Sequence, residues 1–317
     1  MKKCKKFVRG NQLIRVISGN HPYIPTPPLL YGGTELEASL TANALIEEGF
    51  DVCLQANKRS YKVWDYYFTT RPPKSECHDV TLTISYVNSA DMHVFQGRPF
   101  QIDSFKVFAS LPQKNYYEIA ISPLNDNDYA LIPNAIPDWL YTPRESWDEG
   151  DYYLFLNRCD DNKGCREFAH WCVKNNLKCK MVTQYWFVSD INYARDTISY
   201  AKNHGIEVLT DIDPLTKIEV IKNAKAVVGF LSNKYFEGYG LWVHEANWLR
   251  VRVMSTNVQA VPWTMMRGEI VSYNDGYTKT LYYINENEDQ WRDERSYLSY
   301  KMKWVELVEK WEDNRYG

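Results

Sequence analysis

The sequence has no hydrophobic run long enough to cross a membrane. A membrane-spanning helix needs roughly 18 or more consecutive apolar residues, and no stretch of this 317-residue chain approaches that length. The first ten residues, MKKCKKFVRG, are basic, but a strand-like segment follows them instead of the apolar core and cleavage site of a signal peptide. We therefore expect a cytoplasmic protein, in which this basic arm is either a short solubilising segment or a peripheral contact with a membrane.

The sequence also lacks the cysteine spacing of a zinc site or a disulfide framework. Its seven cysteines are odd in number and include no C-x-x-C pair. Cys165 and Cys172 fall on one face of a helix, where two small core residues are commoner than a metal site. We expect free thiols and a reducing, intracellular setting. Four of the seven cysteines lie within residues 159–179. A disulfide among these four is the alternative in an oxidising or hyperthermophilic setting.

A strong charge of either sign is missing as well. The formal net charge of −3 argues against nucleic acid as an obligatory partner. No internal repeat or low-complexity segment is present. The length suits two domains of about 150 residues, each able to bury a core. Aromatic residues make up 15% of the chain, and because flat rings pack against sugar faces, a cleft rich in them suits a glycan.

The second half of the chain alternates strand and helix patterns. Apolar runs and amphipathic stretches predict a strand over 152–157, a helix over 163–176, a strand over 179–183 and a helix over 191–204, and the alternation continues to a helix after Gly240. Such alternation predicts a parallel sheet with helices on both faces. Ligands of these sheets bind beyond the carboxyl ends of the strands.

The first half is rich in strand patterns and has one long helical pattern. The segment LIRVISG predicts a strand, and Thr34 with Glu37 predicts a capping box for a helix that stops at Gly49. Further strands are predicted at FDVCLQA, VTLTISYV, DMHVFQG, FKVFAS and YYEIAIS. Near the C-terminus, a helix is predicted to bury one stripe, formed by Leu298, Met302, Val305, Val308 and Trp311.

Two cations bracket the turn after the strand at 152–157. Arg158 and Lys163 have the spacing R-x4-K. A planar guanidinium fork and a mobile ammonium suit a diphosphate that is held from two sides. Ordinary solvated loop charges are the alternative.

Two carboxylates flank a glycine-bearing turn in EGYGLWVHEA. Glu237 and Glu245 are separated as E-x7-E, and Gly238 and Gly240 allow close approach of backbone N–H groups to an anion. The helix that begins near Leu241 offers its N-terminal donors to phosphate. One carboxylate is suited to sugar hydroxyls and the other to a ribose.

The E-x7-E spacing, with its interior Tyr-Gly-hydrophobic element, resembles the donor motif of retaining GT-B glycosyltransferases, chiefly glycosyltransferase family 4. The R-x4-K pair is similar to the "GR…KG" element of that family, although Asn157 replaces the glycine. The pair Gly32 and Gly33 is similar to its N-terminal glycine loop, which faces the donor phosphates and the acceptor. His93 is the one candidate for the acceptor-side histidine of relatives.

The resemblance implies a GT-B fold, an α/β fold of two facing Rossmann-like domains with parallel sheets and an interdomain cleft. Residues 1–145 would form the acceptor-side domain, residues 146–295 the nucleotide-sugar domain, and residues 296–317 a helix that crosses back to the first domain. It also implies a retaining, metal-independent hexosyltransferase. Its donor would be a UDP- or GDP-sugar with no other cofactor, and its acceptor a glycan, a lipid or a protein-linked glycan.

Departures from the family pattern leave alternatives open. Arg250 and Arg252 stand where relatives carry glycine and proline, and they suit either phosphate or the protein surface. Asp211 and Asp213 spell D-I-D, which a metal-dependent transferase would use. A non-catalytic domain that binds glycan or nucleotide, a sugar-nucleotide epimerase and a DNA-modifying transferase are the competing functions.

Overall fold

The structure is a computed structural model that describes residues 13–18, 24–29, 32–56, 63–75, 92–96, 106–110, 115–120, 130–184, 188–232 and 237–316. The chain forms two compact units. Unit 1 comprises residues 1–135 together with 295–317, and unit 2 comprises residues 136–294. Within the described part of the chain, no helix combines the length and apolar character needed to cross a membrane. The basic arm at residues 1–10 and the predicted strand VTLTISYV lie outside the described residues.

Unit 1 is built on a mixed sheet. Its strands are β1 (Leu13–Ile17), β2 (Asp51–Gln55), β3 (Lys74–Ser75), β4 (Met92–Gln96), β5 (Lys106–Ser110), β6 (Asn115–Ala120) and β7 (Ala130–Leu131). They lie in the order β3-β2-β1-β4-β5-β6-β7. β1 runs parallel to β2 and β4, whereas β5 runs antiparallel to both of its neighbours. The antiparallel part accounts for the shortage of helical patterns in this half, because antiparallel strands do not need helical crossovers.

Helix α1 (Gly33–Glu47) is buried along most of its length, from Glu35 to Leu45. A short helix α2 (Trp64–Tyr67) follows β2, and α9 (Tyr297–Tyr316) packs along α1. The Thr41 hydroxyl lies 2.6 Å from Tyr300 OH, and Asn43 Nδ2 donates to Tyr297 OH at 2.5 Å. These bonds satisfy polar side chains that burial would otherwise leave without partners.

The ends of α1 fit the sequence prediction only in part. Gly49 is left-handed, with a φ of 86°, and follows the C-cap Glu48 as predicted. At the other end the N-cap is Gly32 and no side chain caps the helix, so the predicted capping box of Thr34 was wrong. The helix begins earlier because the two glycines leave the backbone free to turn there, which places Thr34 inside the first turn.

The buried stripe of α9 also differs from the predicted one. Leu298 and Met302 are 59% and 63% exposed, whereas Tyr300 and Trp304 are buried. A prediction that counts only apolar residues underestimates how often tyrosine is buried. The ring of a tyrosine packs in a core while its hydroxyl bonds a polar partner. Here the tyrosine hydroxyls bond the polar residues of α1, and this sets which face of α9 turns inward.

Unit 2 carries a second seven-stranded sheet. Its strands are β8 (Tyr152–Leu156), β9 (Cys179–Thr183), β10 (Glu207–Thr210), β11 (Ala224–Gly229), β12 (Arg252–Thr256), β13 (Arg267–Asn274) and β14 (Tyr277–Asn285), in the order β10-β9-β8-β11-β12-β13-β14. Only β14 is antiparallel to its neighbour. The helices are α3 (Cys165–Lys174), α4 (Ile191–Asn203), α5 (Pro214–Lys222), α6 (Leu241–Trp248), α7 (Val261–Thr264) and α8 (Glu288–Arg295).

The helices of unit 2 cover both faces of its sheet. Successive residues of a strand point to opposite faces, so Leu154 and Leu156 join a core with α5 and α6, while Phe155 joins a second core with α3 and α4. This arrangement confirms the predicted parallel sheet with helices on two sides. It also directs the carboxyl ends of β8, β9 and β11 to one edge.

A disulfide links Cys172, near the end of α3, to Cys179, the first residue of β9. The prediction of free thiols was therefore wrong for this pair, whereas Cys159 and Cys165 are buried thiols whose sulfur atoms lie 2.9 Å apart. The turn between α3 and β9 brings the two cysteines together, a pairing that a search for C-x-x-C does not detect. Because disulfides persist in oxidising surroundings, the cysteines no longer support a reducing compartment.

Candidate functional site

Arg158 lies in the loop that follows β8, and a neighbouring carboxylate orients it. Arg158 Nε is 3.3 Å from Asp160 Oδ2, and the Asp160 side chain is fully buried. Asp160 Oδ1 accepts a bond from Ser189 N at 2.7 Å. Arg158 keeps 20% of its side chain exposed, so the guanidinium is held in place while part of it faces solvent.

Lys163 forms an ion pair with Glu237. Its Nζ donates to Glu237 Oε2 at 2.7 Å, and the two side chains are 7% and 13% exposed. Lys163 ends a short 3-10 turn after β8, and Glu237 follows β11. The structure thus brings together two of the residues singled out by the sequence motifs, although 74 residues separate them in the chain.

Gly164 allows the Lys163 turn to lie against the loop after β11. Its φ of 74° is left-handed, and a Cβ at this position would stand 2.2 Å from Phe230 O. Ser232 N donates to Asn162 O at 3.0 Å and joins the same two segments. The R-x4-K spacing gave no direct sign of this close approach, although the glycine that follows Lys163 was visible in the sequence.

Gly240 is the N-cap of α6 and is left-handed, with a φ of 80°. A Cβ at Gly240 would lie 3.7 Å from Glu237 Cγ, so Glu237 stands beside the start of the helix. Leu241 is the first residue of α6, and Gly238 is buried in the preceding turn. The first N–H groups of a helix have no partner within it and sit at the positive end of its dipole. The turn therefore offers an anion-binding helix end next to the Lys163–Glu237 pair.

Glu245 is buried inside unit 2 and has two donors on one oxygen. Its Oε1 accepts from Tyr141 OH at 2.7 Å and from Lys217 Nζ at 2.5 Å. The carboxylate is 7% exposed and Lys217 is 22% exposed. Tyr141 and Lys217 were not identified from the sequence, because they lie 104 and 28 residues away in the chain.

The remaining predicted residues lie in unit 1. Gly32 is the N-cap of α1 and Gly33 its first residue. A Cβ on Gly32 would meet Glu35 Oε2 at 2.6 Å, and burial raises the pKa of the Glu35 carboxyl to about 7. His93 is inside β4, paired in register with Arg15 of β1.

The alternative anion and metal ligands are engaged in structural contacts. Asp213 caps α5 by accepting from the backbone N–H groups of Leu215 and Thr216, and the bonds from Thr216 lower its pKa. Arg250 pairs with Glu288 at 2.7 Å.

Arg250 has a φ of 59°, so it keeps a left-handed conformation in the slot where relatives carry glycine. Arg252 pairs with Asp148. These contacts therefore favour a structural role at the protein surface for the two arginines over a role in phosphate binding.

Solved structures of glycosyltransferases have the same fold. AviGT4, a glycosyltransferase involved in avilamycin A biosynthesis, has a TM-score of 0.62 and 14% identity over 94% of this chain and 97% of its own. HepE of Anabaena in complex with UDP-glucose has a TM-score of 0.66 and 11% identity over 95% of this chain and 100% of its own. A glycosyltransferase from Rickettsia africae has a TM-score of 0.58 and 11% identity over 96% and 98%.

No protein-family model and no curated protein matches the chain. At these low identities the likeness establishes the fold, and it confirms the predicted GT-B class of α/β protein.

Proposed function

We propose that this protein is a retaining glycosyltransferase that moves a hexose from a nucleotide diphosphate sugar to a hydroxyl acceptor. The observation that carries the proposal is the Lys163–Glu237 ion pair at the carboxyl edge of the unit 2 sheet, beside the N-terminus of α6. A cation, a carboxylate and a helix end held together in this way match the parts of a sugar diphosphate. The acceptor is a glycan or a lipid- or protein-linked glycan.

In this proposal the diphosphate is bound by Arg158, Lys163 and the first N–H groups of α6. Charge builds up on the leaving diphosphate as the bond to the sugar breaks, and preorganised cations and dipoles lower the energy of that state. The contact with Asp160 positions Arg158 for this role. The Lys163 ammonium carries three donors, one of which bonds Glu237.

The two carboxylates then serve hydroxyl groups. Glu237 accepts from hydroxyls of the donor sugar, and Glu245 accepts from the ribose. Tyr141 and Lys217 bond Glu245 Oε1, so this carboxylate is held in one orientation when the nucleotide arrives. Gly32 and Gly33 are proposed to face the donor phosphates and the acceptor, and His93 is proposed to face the acceptor. The leaving phosphate assists deprotonation of the acceptor on the front face, since no side chain is marked as a covalent nucleophile.

The donor is proposed to be a UDP- or GDP-sugar, and transfer is proposed to need no metal. HepE, which has the same fold, is described as a complex with UDP-glucose, and this supports a uridine donor. The cap that Asp213 provides to α5 leaves the D-I-D pair poorly placed to bridge a cation to phosphate, which supports a metal-independent reaction.

A transfer assay tests the proposal. Purified protein is incubated with UDP-, GDP- and ADP-sugars and simple glycan acceptors, and the anomeric configuration of the product is read by NMR. We expect product with retained configuration, formed equally in excess EDTA. Nucleotide binding without transfer or hydrolysis would favour a non-catalytic domain, and an altered sugar on the unreacted nucleotide would favour an epimerase. Activity that EDTA abolishes and Mn²⁺ restores would assign the site to Asp211 and Asp213.

A further inference from the structure

Two neighbouring strands of unit 2 end in buried polar atoms that have no hydrogen-bond partner. These atoms are Asn157 Nδ2, which follows β8, and Thr183 Oγ1 and Gln184 Nε2 at the end of β9. Thr183 and Gln184 are only 6% and 4% exposed as residues. None of the three groups has charge, which separates them from the cations and carboxylates already described.

The three residues lie at the ends of neighbouring strands. β8 and β9 are parallel, and Leu156 is paired in register with Val182, so Asn157 and Thr183 each come one residue later on adjacent strands. Thr210, the last residue of β10, is paired with Thr183 on the other side. Arg158 directly follows Asn157. The unpartnered atoms therefore form a neutral extension of the edge at which the diphosphate is proposed to bind.

Unpartnered buried polar groups are rare in native proteins, and each requires an explanation. Three of them on adjacent strand ends cannot be attributed to one misplaced side chain. The carboxyl edge of a parallel sheet is also where such folds bind ligands. A ligand that supplies hydrogen bonds at this edge would provide the missing partners.

We propose that Asn157, Thr183 and Gln184 bind the nucleobase of the donor nucleotide, an inference that rests on the function proposed above. The three groups are neutral and therefore match the neutral part of a nucleotide, whereas Arg158 and Lys163 supply the positive charge for its diphosphate. Two amide N–H donors and a hydroxyl suit a base with carbonyl oxygens on its edge, and uracil carries two of them. These residues would select the base, while Arg158 and Lys163 bind the diphosphate of any nucleotide.

The test compares two probes, UDP and inorganic pyrophosphate, by calorimetric titration. Thr183→Val and Gln184→Leu remove the polar atoms with little change of size. Each should weaken UDP binding about tenfold, the effect of one lost hydrogen bond, and leave pyrophosphate binding unchanged. Each should also raise the melting temperature of the ligand-free protein, because an unsatisfied buried polar group is replaced by an apolar one. Thr183→Ser, which keeps the hydroxyl, should restore UDP affinity.

Matched variants separate this role from a structural one. Thr197 is a buried threonine of α4 whose hydroxyl accepts from Arg166 Nε. Thr197→Val should lower the melting temperature and leave UDP affinity unchanged. Arg158→Lys, in contrast, should weaken binding of UDP and of pyrophosphate alike.

The possible failures are distinguishable. If wild-type protein binds neither UDP, GDP nor ADP, both this inference and the proposed function are overturned. If wild-type protein binds UDP and the Thr183→Val and Gln184→Leu variants bind it equally well, only this inference is overturned. Equal losses of UDP and pyrophosphate in these variants would also overturn it, because they would indicate a general distortion of the edge. Loss of the preference for UDP over ADP in Gln184→Leu would support base recognition.

Discussion

Lys163 Nζ lies 2.7 Å from Glu237 Oε2, and this contact joins the turn after β8 to the loop after β11. Both side chains are almost fully buried, so the ion pair compensates two charges that burial would otherwise penalise. The pair therefore has a structural role as well as the proposed catalytic one. Variants of the pair must separate the two roles.

We expect Lys163→Ala and Glu237→Gln each to reduce transfer by about 10²–10³-fold, the usual effect of removing one preorganised group from a charge-stabilising site. Each should also lower the melting temperature, since the remaining partner is left uncompensated. The double variant Lys163→Met with Glu237→Gln has no buried charge left to compensate, so it should recover stability and stay inactive. Transfer at the wild-type rate in any of these variants would refute the assignment.

The exposed pair of Lys178 and Asp151 provides a matched control for these variants. Exposed ion pairs contribute about 0–1 kcal/mol. Lys178→Ala should therefore leave both the transfer rate and the melting temperature close to those of the wild type.

Glu245→Gln should weaken nucleotide binding more than it slows turnover. A ribose contact is made equally in the ground state and the transition state, so its loss raises KM and changes kcat little. Tyr141→Phe, which removes one of the two anchors of the carboxylate, should have a smaller effect in the same direction. Tyr152→Phe is the control, because that hydroxyl bonds Val220 O elsewhere in unit 2. Unchanged UDP affinity in Glu245→Gln would contradict the ribose role.

Glu35 should make the protein less stable as the pH rises. Burial raises the pKa of its carboxyl from 4.5 to about 7 in the folded chain. Between these pH values the folded state keeps a proton that the unfolded state has released. The free energy of unfolding therefore falls over this range by a total of about 3 kcal/mol. Above pH 7 the contribution of Glu35 no longer changes with pH.

Glu35→Gln has no proton to release, so the variant should lack this component of the pH dependence. Urea unfolding of both proteins between pH 4 and pH 8, a range set by these two pKa values, should show a difference in stability that grows with pH. A difference that stays constant over the range would show that the Glu35 carboxyl titrates normally.

The Cys172–Cys179 disulfide should stabilise the protein by about 2–3 kcal/mol, since it closes a short loop in the unfolded chain. Dithiothreitol should lower the melting temperature of wild-type protein. It should have no effect on a variant in which both cysteines are alanine, which should melt with the reduced wild type. If dithiothreitol lowered the melting temperature of both proteins equally, its effect would not come from the Cys172–Cys179 disulfide.

The regular part of unit 2 was predictable because its pattern is local. The strand predicted over 179–183 is β9, and the helix predicted over 191–204 is α4, which ends one residue earlier. Glu237 and Lys163 were also singled out from short motifs. Their pairing follows from the parallel sheet, which sends both to one edge.

Long-range partners were not predictable in the same way. Tyr141 and Lys217 meet Glu245 only after α5 and α6 pack on the sheet, and nothing in their local sequence marks them. The buried face of α9 was predicted only in part: Val308 is buried as predicted, whereas Leu298 and Met302 are exposed. The tyrosines of α9 make specific bonds to α1, which a count of apolar residues does not register. The unpartnered atoms of Thr183 and Gln184 depend on burial, which a strand-end position alone does not reveal.

The packing of α9 on α1 has a consequence for the order of events during synthesis. Thr41 and Asn43 are made early, but their partners Tyr300 and Tyr297 are made 259 and 254 residues later. All the strands of unit 2 emerge before them. Nascent chains usually complete their N-terminal domain first, whereas here the unit that begins first is completed last. A ribosome stalled after residue 294 should therefore display a folded unit 2 beside an unfinished unit 1.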